Sequence, residues 1–135
     1  MSTVFVDTNY WVAILSPRDQ WHESACRARD SLGAAKLVTS EIVLIEVLNG
    51  FSSFGEGARR SAAGLVSKIL QDHAIETILH THHAFSEGLA LYEKRLDKGY
   101  SLIDCISMNA MRERGITYVL THDSDFAQEG FTVLM

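Results

Sequence analysis

Short apolar segments alternate with helix-like stretches along the whole chain, and this alternation restricts the possible folds more than any other feature. Thr3–Asp7, Lys36–Thr39, Ala74–Leu79, Ile116–Leu120 and Phe131–Leu134 read as strands. The first is apolar on both faces, as strands inside a parallel sheet are. Between them, helices are predicted over Tyr10–Leu15, Gln20–Leu32, from a Ser40 cap to about Leu48, over Gly57–Asp72, from Thr81 to about Leu96, and over Ser101–Arg114. Ser16-Pro17, Gly33, Asn49-Gly50 and Lys98-Gly99 supply the stops. Strands separated by helices pair in parallel through right-handed crossovers. The expected fold is therefore a three-layer α/β/α sandwich with a central, mainly parallel sheet of four to five strands, forming one domain over residues 1–135. Such folds bind ligands outside the carboxyl ends of their strands, so acids at those ends are the first candidates for function.

Composition removes several classes. The chain has 135 residues, 17 acidic and 12 basic side chains, and a net charge of −5. That balance argues against a broad, sequence-independent basic surface for nucleic acid. Cys26 and Cys105 are too few for a disulfide framework, and no CxxC pair offers a structural zinc site. Thr8–Pro17, the uncharged stretch near the start, is far too short to span a membrane. A cytoplasmic protein that makes no membrane contact is expected. No GxGxxG follows a strand and no Walker sequence occurs, so a nucleotide cofactor is unsupported.

Five acids stand where both a structural and a functional role can be read. Asp7 closes the first strand, where it can cap the next helix or ligate a metal at the sheet edge. Glu46 lies in Ile42-Val-Leu-Ile-Glu46-Val-Leu48, with apolar residues on every helical side. A carboxylate buried there needs a salt bridge, a metal or a catalytic task. Asp104 follows Ser101 at capping-box spacing, yet its neighbours Leu102, Ile103, Cys105 and Ile106 are apolar. Asp123 and Asp125 follow the fourth strand in Thr121-His-Asp-Ser-Asp-Phe126, where Asp is also an ordinary turn residue. Asp123 is nearer the strand end and is the favoured candidate, with Asp125 free to cap the next segment. Two carboxylates about 4 Å apart repel by about 4 kcal/mol at an effective dielectric near 20. Several converging on one edge call for cations, and hard oxygen donors suit Mg²⁺ or Mn²⁺. Such an ion lowers the pKa of a water ligand and stabilises charge on a phosphoryl group, which suits phosphodiester hydrolysis.

Taken in order, Val6-Asp7-Thr8-Asn9 after a strand, Glu46 in an apolar helix, Asp104 in Leu-Ile-Asp-Cys, and Thr-His-Asp-Ser-Asp-Phe near the end resemble the PIN domain across the whole chain. The length is similar to that of the stand-alone VapC-type toxins of toxin–antitoxin pairs. The resemblance implies an Mg²⁺- or Mn²⁺-dependent endoribonuclease acting on tRNA, rRNA or mRNA. It further implies a cognate antitoxin and a homodimer. By the same resemblance Asp7, Glu46, Asp104 and Asp123 hold the metal and carry catalysis, with Thr8, Thr121 and Asp125 in support. The sequence departs from the family in one respect. An arginine often follows the helix glutamate shortly, but here the first is Arg59. Two alternatives stay open: a non-catalytic RNA- or partner-binding module of the same fold, and a housekeeping PIN nuclease. A phosphoaspartyl phosphatase is disfavoured because Asn9 stands where its second aspartate belongs.

Other features carry less. His80-Thr-His82-His83 has no acid or cysteine at ligand spacing and reads as a polar loop leading into a helix. Arg59, Arg60 and Lys68, and Lys94, Arg95 and Lys98, form solvated helix faces or phosphate contacts. Trp11, Trp21, Phe51 and Phe54 are mostly core residues, with one or two left to line a partner groove or dimer surface.

Overall fold

The computed structural model describes residues 3–135. Five strands form one sheet in the order β3-β2-β1-β4-β5: β1 (Thr3–Val6), β2 (Lys36–Ser40), β3 (Ile75–Ile78), β4 (Tyr118–Leu120) and β5 (Thr132–Val133). Every pairing is parallel, with Phe5 opposite Val38 on one side and Val119 on the other. Seven helices complete the three-layer α/β/α sandwich: α1 (Thr8–Leu15), α2 (His22–Ser31), α3 (Glu41–Phe51), α4 (Glu56–Gln71), α5 (His82–Lys94), α6 (Leu102–Glu113) and α7 (Ser124–Gln128). Helix α1 packs against α2, α3 and α4, α3 also against α4, α5 against α6, and α7 against β5.

The strand order locates the ligand crevice. The chain runs outward from β1 to β2 and β3, then returns to β4 on the other flank of β1. The direction of winding therefore reverses at β1 and β4, and the crevice lies beyond their carboxyl ends. Val4, Phe5 and Val6 are fully buried, as are Met108 and Met111 of α6 and Phe126 of α7. This packing holds the ends of β1 and β4 rigid. Trp11 Nε1 donates to the Thr39 hydroxyl at 3.3 Å, and that hydroxyl donates to the Val6 carbonyl at 3.0 Å, tying α1 and β2 to the last residue of β1. Helices α5 and α6 touch closely at Gly88, where a Cβ would lie 2.5 Å from Ile106 Cγ1.

Several boundaries differ from the sequence reading. Helix α1 starts at Thr8, which puts Asp7 at the N-cap, and α2 starts at His22. Helix α3 passes through Asn49-Gly50 and ends at Phe51, because packing of its Val43, Leu44 and Val47 face outweighs the local stop signal. The sequence does not predict the short helix α7, and its cap is Asp123, not Asp125 as the sequence suggests. Ser40 and Ser101 cap α3 and α6 as their positions predict, accepting from Val43 and Asp104, whereas Thr81, read as the first residue of α5, is its cap and accepts from Ala84. Among the described residues no helix is long and apolar enough to cross a membrane.

Candidate metal centre at the carboxyl edge of the sheet

A cavity of about 340 Å³ opens beyond β1 and β4. Asp7, Glu46, Asp104 and Asp123 all line it, drawn from the end of β1, from α3, from the first turn of α6 and from the loop after β4. Thr8, Asn9, Asp19, Ser101 and His122 complete its polar wall.

Asp7 is 5% exposed and occupies the N-cap position of α1 without making a side-chain cap bond. Its Oδ2 instead accepts a 3.0 Å bond from the Thr121 hydroxyl. Thr121 is a small hub, for its Oγ1 also accepts from Asn9 Nδ2 at 2.8 Å and from the Asp123 backbone N–H at 3.1 Å. Asn9 Oδ1 accepts from the His122 N–H at 3.2 Å, so the ends of β1 and β4 are stitched together. Glu46 is half-buried, less enclosed than its apolar neighbours imply, because Ile45 and Leu48 beside it are exposed. The Thr8 hydroxyl donates to Glu46 Oε1.

Asp104 does two jobs at once. The Ser101 N–H donates to its Oδ2 at 3.1 Å, and its own N–H donates to Ser101 Oγ at 3.0 Å, a complete capping box. Its carboxylate also comes close to those of Asp123 and Asp125, with one oxygen of each within 4.8 Å of the others. This tight trio and the cavity wall are not the same set. Asp125 belongs to the trio but does not line the cavity, whereas Asp7 and Glu46 line it and stand outside the trio. Asp104 and Asp123 are common to both. Asp125 is thus closer to the other acids than a simple helix cap would be. It is Asp123 that caps α7, through a 2.9 Å bond from the Asp125 N–H.

The electrostatics are those of acids lacking counter-charge. Burial pushes the Asp7 carboxyl up to about 7, and the charges of Asp104 and Glu46 add to the rise, against the Thr8 amide and the Thr121 hydroxyl. Asp104 is raised to about 6, again chiefly by burial, with Asp123 and Glu46 contributing. Asp125 is also raised, by burial and then by Asp123. No Lys or Arg lines the cavity. The donor set is hard carboxylate oxygen throughout, which fits Mg²⁺ or Mn²⁺ and fits no soft metal.

Sequence reasoning missed three parts of this wall. Asn9 is the bridge between strand ends; its place two residues after Asp7 is the available clue. His122 sits unremarked inside the Thr-His-Asp motif. Asp19 follows Ser16-Pro17 in a loop, and no local pattern marks it. Elsewhere the expectations divide. His80, His82 and His83 form the approach and first turn of α5, where the His80 N–H bonds Glu41 and Thr81 caps the helix. Arg59, Arg60 and Arg95 are occupied within the chain by the Ser52 carbonyl, Glu56 and Glu129. Trp11 is core, Trp21 packs at its margin, Phe51 lines a shallow groove, and Phe54 is 73% exposed.

Fold and site define a class: an α/β/α domain that gathers carboxylates at the carboxyl edge of a parallel sheet. The PIN domain family model matches residues 4–131, and the chain belongs to that family. It is 29% identical over 134 residues to the 23S rRNA-specific endonuclease VapC20 of Mycobacterium tuberculosis, covering 95% of each chain. The crystal structure of M. tuberculosis VapC20, described as a sarcin-ricin loop cleaving toxin, superimposes with a TM-score of 0.86 at 26% identity, covering 96% of each chain. A toxin–antitoxin complex from Klebsiella pneumoniae contains a chain of the same fold, with a TM-score of 0.64 at 18% identity over 92% of this chain and 90% of that one.

Proposed function

We propose that the chain is a metal-dependent endoribonuclease that hydrolyses RNA phosphodiester bonds, and that it is the toxin of a toxin–antitoxin pair. The observation that carries this reading is the cavity wall, where Asp7, Asp19, Glu46, Asp104 and Asp123 stand together with no cationic side chain. Asp7, Glu46, Asp104 and Asp123 are the proposed ligands of Mg²⁺ or Mn²⁺, and Asp125 is placed to share the Asp104–Asp123 side. A divalent cation held there supplies charge neutralisation for a phosphodiester and acidifies water for attack. The protein's part is positioning. Thr121 holds Asp7, Thr8 holds Glu46, and Ser101 holds Asp104, so the carboxylates meet a substrate without rearrangement. With Asp7 titrating near 7, that group still carries a proton for part of the time at neutral pH, and cation binding displaces it.

Ribosomal RNA is the favoured substrate, on the name of the relative that matches nearly full length. A cognate antitoxin is the proposed partner. The exposed Phe54 and the groove formed by Val12, Ser16, Gly50, Phe51 and Ala58 give it an apolar seat, and Val12 joins that groove to the acid cavity. A homodimer through the exposed apolar residues Ile45, Leu48 and Leu79 is part of the same reading. Structured rRNA incubated with the purified chain in Mg²⁺, Mn²⁺ or EDTA tests the function. Cutting should require the cation and should fall at least a hundredfold in Asp7→Asn. Equal activity in that variant overturns the site, and RNA binding without cutting favours the non-catalytic module.

A further inference from the structure

One part of the acid cavity is not used by metal binding. Its lining contains five acids, no Lys or Arg, and a single imidazole, that of His122. The Thr8 hydroxyl is committed to Glu46, and Asn9 donates to Thr121. Among the described residues neither ring nitrogen of His122 has a hydrogen-bond partner, although its backbone N–H is fixed by Asn9 at 3.2 Å. The ring is nonetheless held. It stacks on Trp21 with centroids 4.4 Å apart and planes 12° from parallel. Trp21 packs against the core, and its backbone N–H bonds to Asp19 Oδ1 at 2.8 Å. The next residue is pinned as well, with His22 Nδ1 2.7 Å from the Ala13 carbonyl oxygen. A packing role alone leaves unexplained why the stacked residue stands in the cavity wall among the acids. Among the described residues no hydrogen bond from the ring to the protein accounts for its position. What remains is a pre-oriented N–H donor beside a cluster of acids, with its rotamer already fixed before a ligand arrives.

We propose that His122 contacts the RNA substrate, its ring N–H donating to a sugar–phosphate oxygen next to the acids, and that Trp21 is the positioning residue that holds it there. This rests on the ribonuclease reading. It also answers the missing arginine: none lies between Glu46 and Arg59, and Arg59 is bound to the Ser52 carbonyl. The imidazole supplies the contact from the loop after β4.

The test compares wild type, His122→Phe, His122→Gln, Trp21→Ala and Trp21→Phe in three measurements: structured-RNA cleavage in Mg²⁺, binding of the same RNA in Ca²⁺, and Mn²⁺ binding without RNA. His122→Phe keeps the stack and removes the donor. It should weaken RNA binding and raise KM about tenfold, the size of one hydrogen bond to a charged oxygen. Its Mn²⁺ affinity should stay within about twofold of wild type, because the ring is not among the carboxylate ligands. His122→Gln should recover part of the loss. Trp21→Ala should lose RNA affinity in the same sense, and Trp21→Phe should fall between it and wild type. The proposal is overturned if His122→Phe binds RNA like wild type, if its Mn²⁺ affinity falls in step, or if wild type does not bind RNA at all. Binding without cutting would defeat the ribonuclease reading alone, and the binding measurements would still decide the His122 contact.

Discussion

Glu129 and Asp7 bury the same functional group in two settings. The Glu129 side chain is 6% exposed and is met by Arg95 at 3.0 Å, Arg112 at 2.8 Å and the Tyr100 hydroxyl at 2.9 Å. Those donors hold its carboxyl down near 2. Asp7 is 5% exposed, has one hydroxyl donor in Thr121, and is pushed up to about 7 by burial and by neighbouring acids. Glu129 is a finished structural clamp: Arg112 also lies 5.2 Å from the Phe131 ring centroid, and Tyr100 fixes the approach to the Ser101 cap. Asp7 has no such cationic partner, since no Lys or Arg lines its cavity. The contrast teaches that burial alone says little about an acid's role; the charge of its partners decides it.

The largest expected effect breaks the comparison from the Asp7 side. A carboxyl whose folded value is raised from 3.8 to about 7 destabilises the fold as pH climbs through that window, by roughly 4 kcal/mol once both states are ionised. The sign follows because the folded state binds the extra proton. Asp7→Asn in EDTA should therefore gain up to roughly 4 kcal/mol over wild type at pH 8 and little at pH 4, as read by urea unfolding. A loss of stability at pH 8 would show that Asp7 has a counter-charge after all.

Glu129→Gln should do the reverse. Glu129 is depressed from 4.5 to about 2, so its contribution is complete above pH 4.5 and disappears as pH falls toward 2. The substitution leaves two guanidinium groups half-satisfied. Because both keep solvent contact, a loss of about 2 kcal/mol at pH 7 is expected, below the full value for a broken buried pair. Together the two acids predict a stability maximum near pH 4 to 5 for wild type without metal, each substitution flattening one limb of the curve.

Glu46→Gln sharpens the comparison at an intermediate group. Gln keeps an acceptor for the Thr8 hydroxyl and removes only charge. Stability in EDTA should be unchanged or slightly higher, while Mn²⁺ affinity measured calorimetrically should fall about tenfold or more. A marked loss of stability without metal would reveal a cationic partner for Glu46.

Much of this is legible in the sequence, and for identifiable reasons. Apolar runs such as Val4-Phe5-Val6 and the caps at Ser40, Thr81 and Ser101 act locally, so strand and helix identities follow from them. The gathering of Asp7, Glu46, Asp104 and Asp123 can be anticipated because each stands at a strand end or in apolar surroundings. The hidden features depend on distant contacts. Asn49-Gly50 reads as a stop, but the packing of α3 overrides it. Arg95 reads as a solvated cation until Glu129, 34 residues away, is seen to hold it. The Trp21–His122 stack joins a loop near the start of the chain to one near its end, and no periodicity records such a pairing.

The smallest effect probes the residue that belongs to both settings. Asp104 is a structural cap by its bonds to Ser101 and a cavity acid by its neighbours Asp123 and Glu46. Ser101→Ala separates the two. The α6 cap loses its hydroxyl, which should cost about 1 kcal/mol in urea unfolding. That hydroxyl is also among the groups holding the Asp104 carboxyl down against burial, so its removal should move the titration, followed by carboxyl-carbon NMR, further above about 6. The Ser101 backbone N–H still reaches Oδ2, so Asp104 stays in place and Mn²⁺ binding at pH 8 should barely change. A stability loss without the upward titration would mark Asp104 as a cap first, with its carboxylate set by the helix and not by the acids it faces.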